Sequence, residues 1–202
     1  MRKVYGATMV SLDGVMQAPG GPEEDTSGGF AYGGWTGPYV DAVGMAALGA
    51  AMGNGYDLLL GRRTYEIFAA YWPFRGDDSS IAQAFNACTK YVATSGGDES
   101  LTWQNSVALR GDVPAAIAEL KQQDGPDLLV QGSGVLYQTL FRHDLLDELT
   151  LLVFPVVLGG GQRLFGNGAA PASFELSHST TSPTGVVIGT YRRAGAVKTG
   201  TF

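Results

Sequence analysis

Three short stretches of this chain end an apolar run with residue types that hold phosphate groups. The first is Leu60-Gly61-Arg62-Arg63-Thr64. Glycine lets a backbone approach an anion closely, Thr64 offers a hydroxyl, and the two arginines supply positive charge. The second, Ala93-Thr94-Ser95, places two hydroxyls at a strand end, although turns favour serine in any case. The third is Gln131-Gly132-Ser133-Gly134, followed by Val135 and Leu136, a strand-to-helix turn whose bare backbone suits a pyrophosphate. As a Rossmann fingerprint it is incomplete, because Tyr137 stands where the last glycine belongs. The chemistry implied is anion binding at helix N-termini, which carry backbone N–H groups with no intrahelical partner.

Groups for proton transfer or nucleophilic attack are fewer. Asp13, in the Ser11-Leu12-Asp13-Gly14 turn, and Asp41, in the first turn of a helix, are the two catalytic candidates. Each also has a plainer reading, as a turn former and as an acid placed to suit the helix dipole. Ser133 is no hydrolase nucleophile, since Gln131 and Val135 occupy the positions where G-x-S-x-G needs glycine. Gly159-Gly160-Gly161 is followed by Gln162-Arg163, not by the GK[ST] of a Walker loop. His143 closes a helix and His178 lies in a hairpin strand, both structural readings. Cys88 is the single cysteine, so an intramolecular disulfide and a thiolate zinc site are out of reach, and no metal is expected.

The elements that position these residues follow from the pattern of apolar runs. Residues 3–12 form a buried first strand ended by Asp13-Gly14, and 15–38 are a long Gly/Pro/acidic loop, of a length that is usually functional or mobile. A helix over 39–52 is weakened by Gly44 and Gly49. Strand 56–61 leads into a helix whose Tyr65, Phe68, Ala69 and Trp72 fall at i, i+3, i+4 and i+7. A short helix near 79–87, strands at 90–95 and 105–109, and a helix opened by Asp112 with Pro114 come next. Strand 127–131, a helix over 133–143 and a long apolar strand over 148–158 lead to a hairpin around Ser182-Pro183-Thr184-Gly185. Repeated βα units with an antiparallel end predict an α/β fold: a mostly parallel central sheet, flanking helices and a C-terminal hairpin.

At 202 residues the chain suits one domain, 1–202, with a sizeable core. Its 30 glycines have no fixed period and read as turns and close approaches. A net charge of −6 argues against nucleic acid or an anionic membrane as partner and says nothing against a local basic pocket for one phosphate. No run of eighteen apolar residues occurs, and Met1-Arg2-Lys3 leads straight into a strand, so a cytoplasmic protein is expected.

In this order along the chain, SLDG, LGRRTYE, KYVATS, LVQGSGVLYQTL and DELTLLVFPVVLGGGQRLF resemble the dihydrofolate reductase fold. The branch they resemble is the reductase domain of the bifunctional riboflavin-biosynthesis deaminase/reductase, over nearly the whole chain. The resemblance implies NADPH. By it, Gly61, Arg62 and Thr64 fall where cofactor phosphates are gripped and Thr94 and Ser95 near the 2′-phosphate. Gly132, Ser133, Gly134, Val135 and Leu136 fall along the pyrophosphate, and Ala7 matches the first-strand position near the nicotinamide. The turn departs from the family in reading GSG, and in carrying Val135 where dihydrofolate reductases often have a basic residue.

The implied activity is reduction of a small heterocycle, similar to that of 5-amino-6-(5-phosphoribosylamino)uracil reductase. The H-x-E and P-C-x-x-C motifs of the zinc deaminase half are absent from the sequence. Similar family members pair as homodimers, and the apolar strand 148–158 with the hairpin offers an edge, so a homodimer is expected. The alternatives are a non-catalytic nucleotide- or ligand-binding module on the same fold and a Rossmann-type dehydrogenase. The latter calls for a fingerprint after the first strand, where Asp13-Gly14 and a long loop stand.

Overall fold

The computed structural model describes residues 1–75, 79–166 and 169–201. In chain order the elements are β1 (Val4–Ser11), α1 (Ala42–Met52), β2 (Tyr56–Gly61), α2 (Arg62–Ala69), α3 (Ser80–Ala87), β3 (Lys90–Ala93) and β4 (Ser106–Leu109). They continue with α4 (Val113–Gln122), β5 (Asp127–Gly132), α5 (Gly134–Arg142), β6 (Glu148–Phe154), β7 (Phe174–Thr181) and β8 (Val187–Arg193). The strands form a mixed sheet, mostly parallel with an antiparallel C-terminal hairpin, flanked by helices. The chain divides into two compact units, one of Met1–Tyr5 and Gly53–Leu145, the other of Gly6–Met52 and Leu146–Phe202. The strand β1 begins in the first and ends in the second.

The first unit holds β4-β3-β2-β5 in that order, every neighbouring pair parallel. Strand β2 is buried along its full length, as the unbroken run Leu58-Leu59-Leu60 requires of a strand covered on both faces. Its helices obey their end signals. Ser79 accepts from the Ala82 N–H at 3.3 Å to cap α3, and Asp112 accepts from the Ala115 N–H at 3.0 Å to cap α4. Helix α2 stops at Ala69, and Trp72–Phe74 form a separate 3-10 turn. Pro73 cannot supply the N–H that the helix expected through Trp72 would need. Phe85 stacks on Phe68 with centroids 5.6 Å apart and meets Trp72 edge-on at 5.1 Å.

At the N-terminal ends of these strands lies a buried polar cluster that the sequence did not announce. Arg2, 3% exposed, pairs with Asp57 Oδ2 at 2.5 Å and donates to the Pro126 carbonyl and the Tyr91 hydroxyl. Asp57 Oδ1 accepts from the Thr89 N–H at 3.0 Å. Lys90, fully buried, donates to the carbonyls of Asn86, Cys88 and Gln104 and lies 4.5 Å from the Trp103 ring centroid.

In the second unit β6 pairs antiparallel with β8, and β8 with β7. Strand β6 ends at Phe154, before Pro155, and lies between β1 and β8. The apolar strand expected to offer an edge is therefore interior. The edge is β7, whose FELSHSTT is largely exposed. The long loop is a packed one. Val15, Ala18, Phe30 and Trp35 join Leu152, Phe154, Val186 and Ile188 in one core cluster, and the Trp35 indole N–H donates to the Gln17 carbonyl at 2.8 Å. The predicted hairpin turn is present, with Gly185 at φ 88° and its N–H on the Ser182 carbonyl.

Candidate phosphate-binding site

Two parallel neighbours, β2 and β5, each run directly into a helix. Gly61 is the N-cap of α2 and Ser133 the N-cap of α5, and neither helix start has a side-chain cap. The glycines there have no room for anything larger. A Cβ on Gly61 would collide with the Ser133 side chain, and one on Gly132 would stand 2.8 Å from Thr64 Oγ1. Gly132 also holds φ 132°, which L side chains rarely adopt, and its peptide bond to Ser133 is cis. The register between β2 and β5 shifts at Leu59/Leu60, so Leu60 faces Gly132 instead of Gln131. Gly61, Thr64, Gly132 and Ser133 are thus brought into one cluster. Two neighbouring helix starts, neither capped by a side chain, make an arrangement that suits an anion. Within α5, Gly134 opens the helix, Val135 is 73% exposed beside it, and Leu136 turns inward into the core.

Arg62 reaches across from α2 to the turn after β3. Its Nε donates to Glu66 Oε1 at 2.8 Å, Nη1 to Ser100 Oγ at 2.7 Å and Nη2 to the Ser100 carbonyl at 3.3 Å. Thr94 Oγ1 accepts from the Gly96 N–H at 3.1 Å, and Ser95 is exposed. A Cβ on Gly96 would lie 2.8 Å from Ser100 Oγ and 3.7 Å from Thr94 Oγ1. Arg62 and the Thr94-Ser95 turn are therefore joined through Ser100, a residue the sequence reading passed over. Glu66, four positions from Arg62 on the same helix, was legible as a partner by spacing. Gln131, in a stretch singled out for its backbone, adds its side chain: the nitrogen is buried without a hydrogen-bond partner, as happens where a ligand or water completes a site.

The remaining candidates lie in the second unit. Ala7 is buried in β1. Asp13 Oδ1 accepts from the Ser11 hydroxyl at 2.6 Å and the Leu158 N–H at 3.1 Å, and Oδ2 from the Gly159 N–H at 2.9 Å and Arg163 at 3.3 Å. The Ser11 hydroxyl first, then those N–H groups and Arg163, hold its carboxyl well below the usual range against the opposing effect of burial. Asp41 Oδ1 accepts from the Gly44 N–H at 2.7 Å, while Oδ2 takes the Thr184 hydroxyl at 2.7 Å. The Gly44 N–H, followed by Thr184, lowers its carboxyl in the same way. Both acids stay ionised at neutral pH and tie their own turns to distant segments, Asp13 to Leu158–Arg163 and Asp41 to Thr184, so neither holds a proton to donate. Among the described residues no group of His, Cys, Asp and Glu could hold a metal ion, and no helix is long and apolar enough to cross a membrane.

Comparisons with known proteins bear on the family and the fold. The chain is 25% identical over 133 residues to the uncharacterized Bacillus subtilis (strain 168) protein YyaP, covering 64% of this chain and 70% of that one. It is 29% identical over 123 residues to YwjB of the same organism, covering 55% and 64%. A solved structure from Shewanella sp. PV-4, assigned to riboflavin biosynthesis, superposes with a TM-score of 0.64 at 23% identity over 95% of this chain and 98% of the other. Enterococcus faecalis dihydrofolate reductase, complexed with NADP(H) and RAB-propyl, gives a TM-score of 0.60 at 15% identity over 95% and 96%. The fold is therefore that of dihydrofolate reductase. The RibD C-terminal domain matches residues 2–188, and the chain belongs to that family.

Proposed function

We propose that this chain is an NADPH-dependent reductase of a small heterocycle, similar to the 5-amino-6-(5-phosphoribosylamino)uracil reductase of riboflavin biosynthesis. The observation that carries the reading is the pair of helix starts at Gly61 and Ser133, free of side-chain caps and too tight for a Cβ at Gly61 or Gly132. In a RibD C-terminal domain that is where a dinucleotide's phosphates belong. Bound NADPH supplies the hydride. The chain's residues bind and orient: the α2 and α5 starts take the pyrophosphate, and Arg62, Thr94 and Ser95 take the 2′-phosphate. With Asp13 and Asp41 ionised, the proton that accompanies the hydride comes from water.

The test is NADPH binding by fluorescence, followed by NADPH oxidation against a panel of pyrimidines and pteridines. A phosphoribosylamino-pyrimidine should be reduced and dihydrofolate slowly or not at all, since Asp41 is committed to Gly44 and Thr184. Absence of NADPH binding overturns the reading. Robust dihydrofolate turnover that Asp41→Asn abolishes overturns the exclusion of folate. The chain is further proposed to act in the cytoplasm as a homodimer, for which the open edge β7 offers backbone groups. Light scattering that gives a monomer across micromolar concentrations counts against the dimer.

A further inference from the structure

Arg62 is hydrogen-bonded to Ser100 at the end of the Thr94–Ser100 turn, yet its charge is already partnered. Glu66 takes its Nε, and Ser100 takes one hydrogen from each terminal nitrogen through Oγ and the carbonyl. Guanidinium has five N–H donors and stays charged at all relevant pH, so two donors remain for an incoming anion. The pair with Glu66 is half open to solvent, the side chains being 35% and 49% exposed. Such pairs contribute little to stability. The turn itself is acidic. Asp98 Oδ1 accepts from the Ala108 N–H at 2.6 Å, and the Glu99 carboxylate lies against Gly97. A phosphate arriving here meets an oriented guanidinium and a carboxylate on the same guanidinium.

We propose that Glu66 sets how strongly the chain prefers NADPH over NADH, acting through Arg62 and resting on the dinucleotide reading above. Glu66 and Ser100 fix the guanidinium toward the turn, while the carboxylate offsets the charge that a 2′-phosphate would use. Glu66 is a positioning residue that tempers selectivity; it need not touch the substrate. NADH has a plain 2′-hydroxyl there and is indifferent to the carboxylate. Glu66→Gln keeps the side-chain length, the acceptor oxygen for Arg62 Nε and the helix propensity, and removes only the charge.

The experiment measures dissociation constants of NADPH and NADH for the full chain, Glu66→Gln, Arg62→Ala and the double variant, with melting temperatures as a check on folding. Glu66→Gln should tighten NADPH about three- to tenfold, because a phosphate dianion doubles the repulsion of one exposed carboxylate. NADH should stay within about twofold. In the Arg62→Ala background the same substitution should change neither, the signature of coupling between the two side chains. Equal shifts for both dinucleotides, or none, overturn the assignment to Glu66 while the cofactor site stands. A wild-type chain that binds neither dinucleotide overturns the cofactor reading, and this inference with it.

Discussion

At the N-terminal ends of β2, β3 and β5 the charged groups are buried and matched. Arg2 has Asp57, Pro126 and Tyr91, and Lys90 has three carbonyls and the Trp103 ring. At the C-terminal ends of β2 and β5 the helix starts are left bare. Helices α2 and α5 start without side-chain caps although α3 and α4 have theirs, and the Gln131 nitrogen is buried with no partner. Leaving a buried donor unmet costs about 1–3 kcal/mol, so a fold tolerates this where something else completes it. The satisfied end holds the unit together. The other end has polar groups left over. The proposed assignment of the working end rests on this difference.

The sharpest way to break this contrast is Asp57→Ala. It strands the Arg2 guanidinium inside the unit, and loss of one partner of a buried pair costs about 3–5 kcal/mol. Denaturant unfolding should show that loss. Below the transition, NADPH affinity should be unchanged. A variant that folds normally but binds poorly would move function to the wrong end of the strands.

Arg62→Ala tests the other end. A charge-assisted hydrogen bond to phosphate contributes roughly 1.5–3 kcal/mol, so NADPH should weaken about 10- to 100-fold. NADH should change little, as should stability, since the Arg62–Glu66 pair is exposed. Equal losses for both dinucleotides would take the 2′-phosphate away from Arg62.

Much of the bare end was legible because its signals are local. Gly61, Thr64, Gly132 and Ser133 sit within a few residues of the strand ends that use them, and Asp112 announced its helix in the same way. The satisfied end was not legible, because its partners are distant: Arg2 and Asp57 are 55 residues apart. Lys90 gives no hint in KYVATS that its ammonium is enclosed. Distance also hid Ser100 from Arg62, 38 residues away, and Thr184 from Asp41, 143 residues away. The apolar strand 148–158 was misplaced as an edge for a related reason. Hydrophobicity reports that a strand is covered, while the identity of its neighbours is a matter of topology.

Lys90 carries the comparison into pH. Burial pushes its ammonium down to about 8, whereas the unfolded chain has the ordinary value near 10.4. Between those values the unfolded state binds more protons, so stability rises with pH across roughly pH 8 to 10. Relative to Lys90→Met, the melting temperature should climb by a few degrees over that window, a comparison that sets aside the opposite trend from the Cys88 thiol, which burial pushes up. NADPH affinity should not follow the Lys90 titration, since this group belongs to the opposite end.

The smallest effect concerns Val135. It is exposed in the first turn of α5, directly after Gly134, and is apolar where the fold family often places a base. Without ligand, Val135→Lys puts a cation at the positive end of a helix dipole, which costs about 0.3–1 kcal/mol. With a dinucleotide bound the same cation faces the pyrophosphate and is repaid. Apparent stability of the free chain should therefore fall slightly while NADPH and NADH both bind about two- to fivefold tighter, an exposed charge pair being modest in water. Because both dinucleotides carry the pyrophosphate, the gain should be equal for the two, unlike the selective loss in Arg62→Ala. A gain confined to NADPH would place the 2′-phosphate, not the pyrophosphate, at the start of α5. No gain for either would leave the uncapped helix start without its anion.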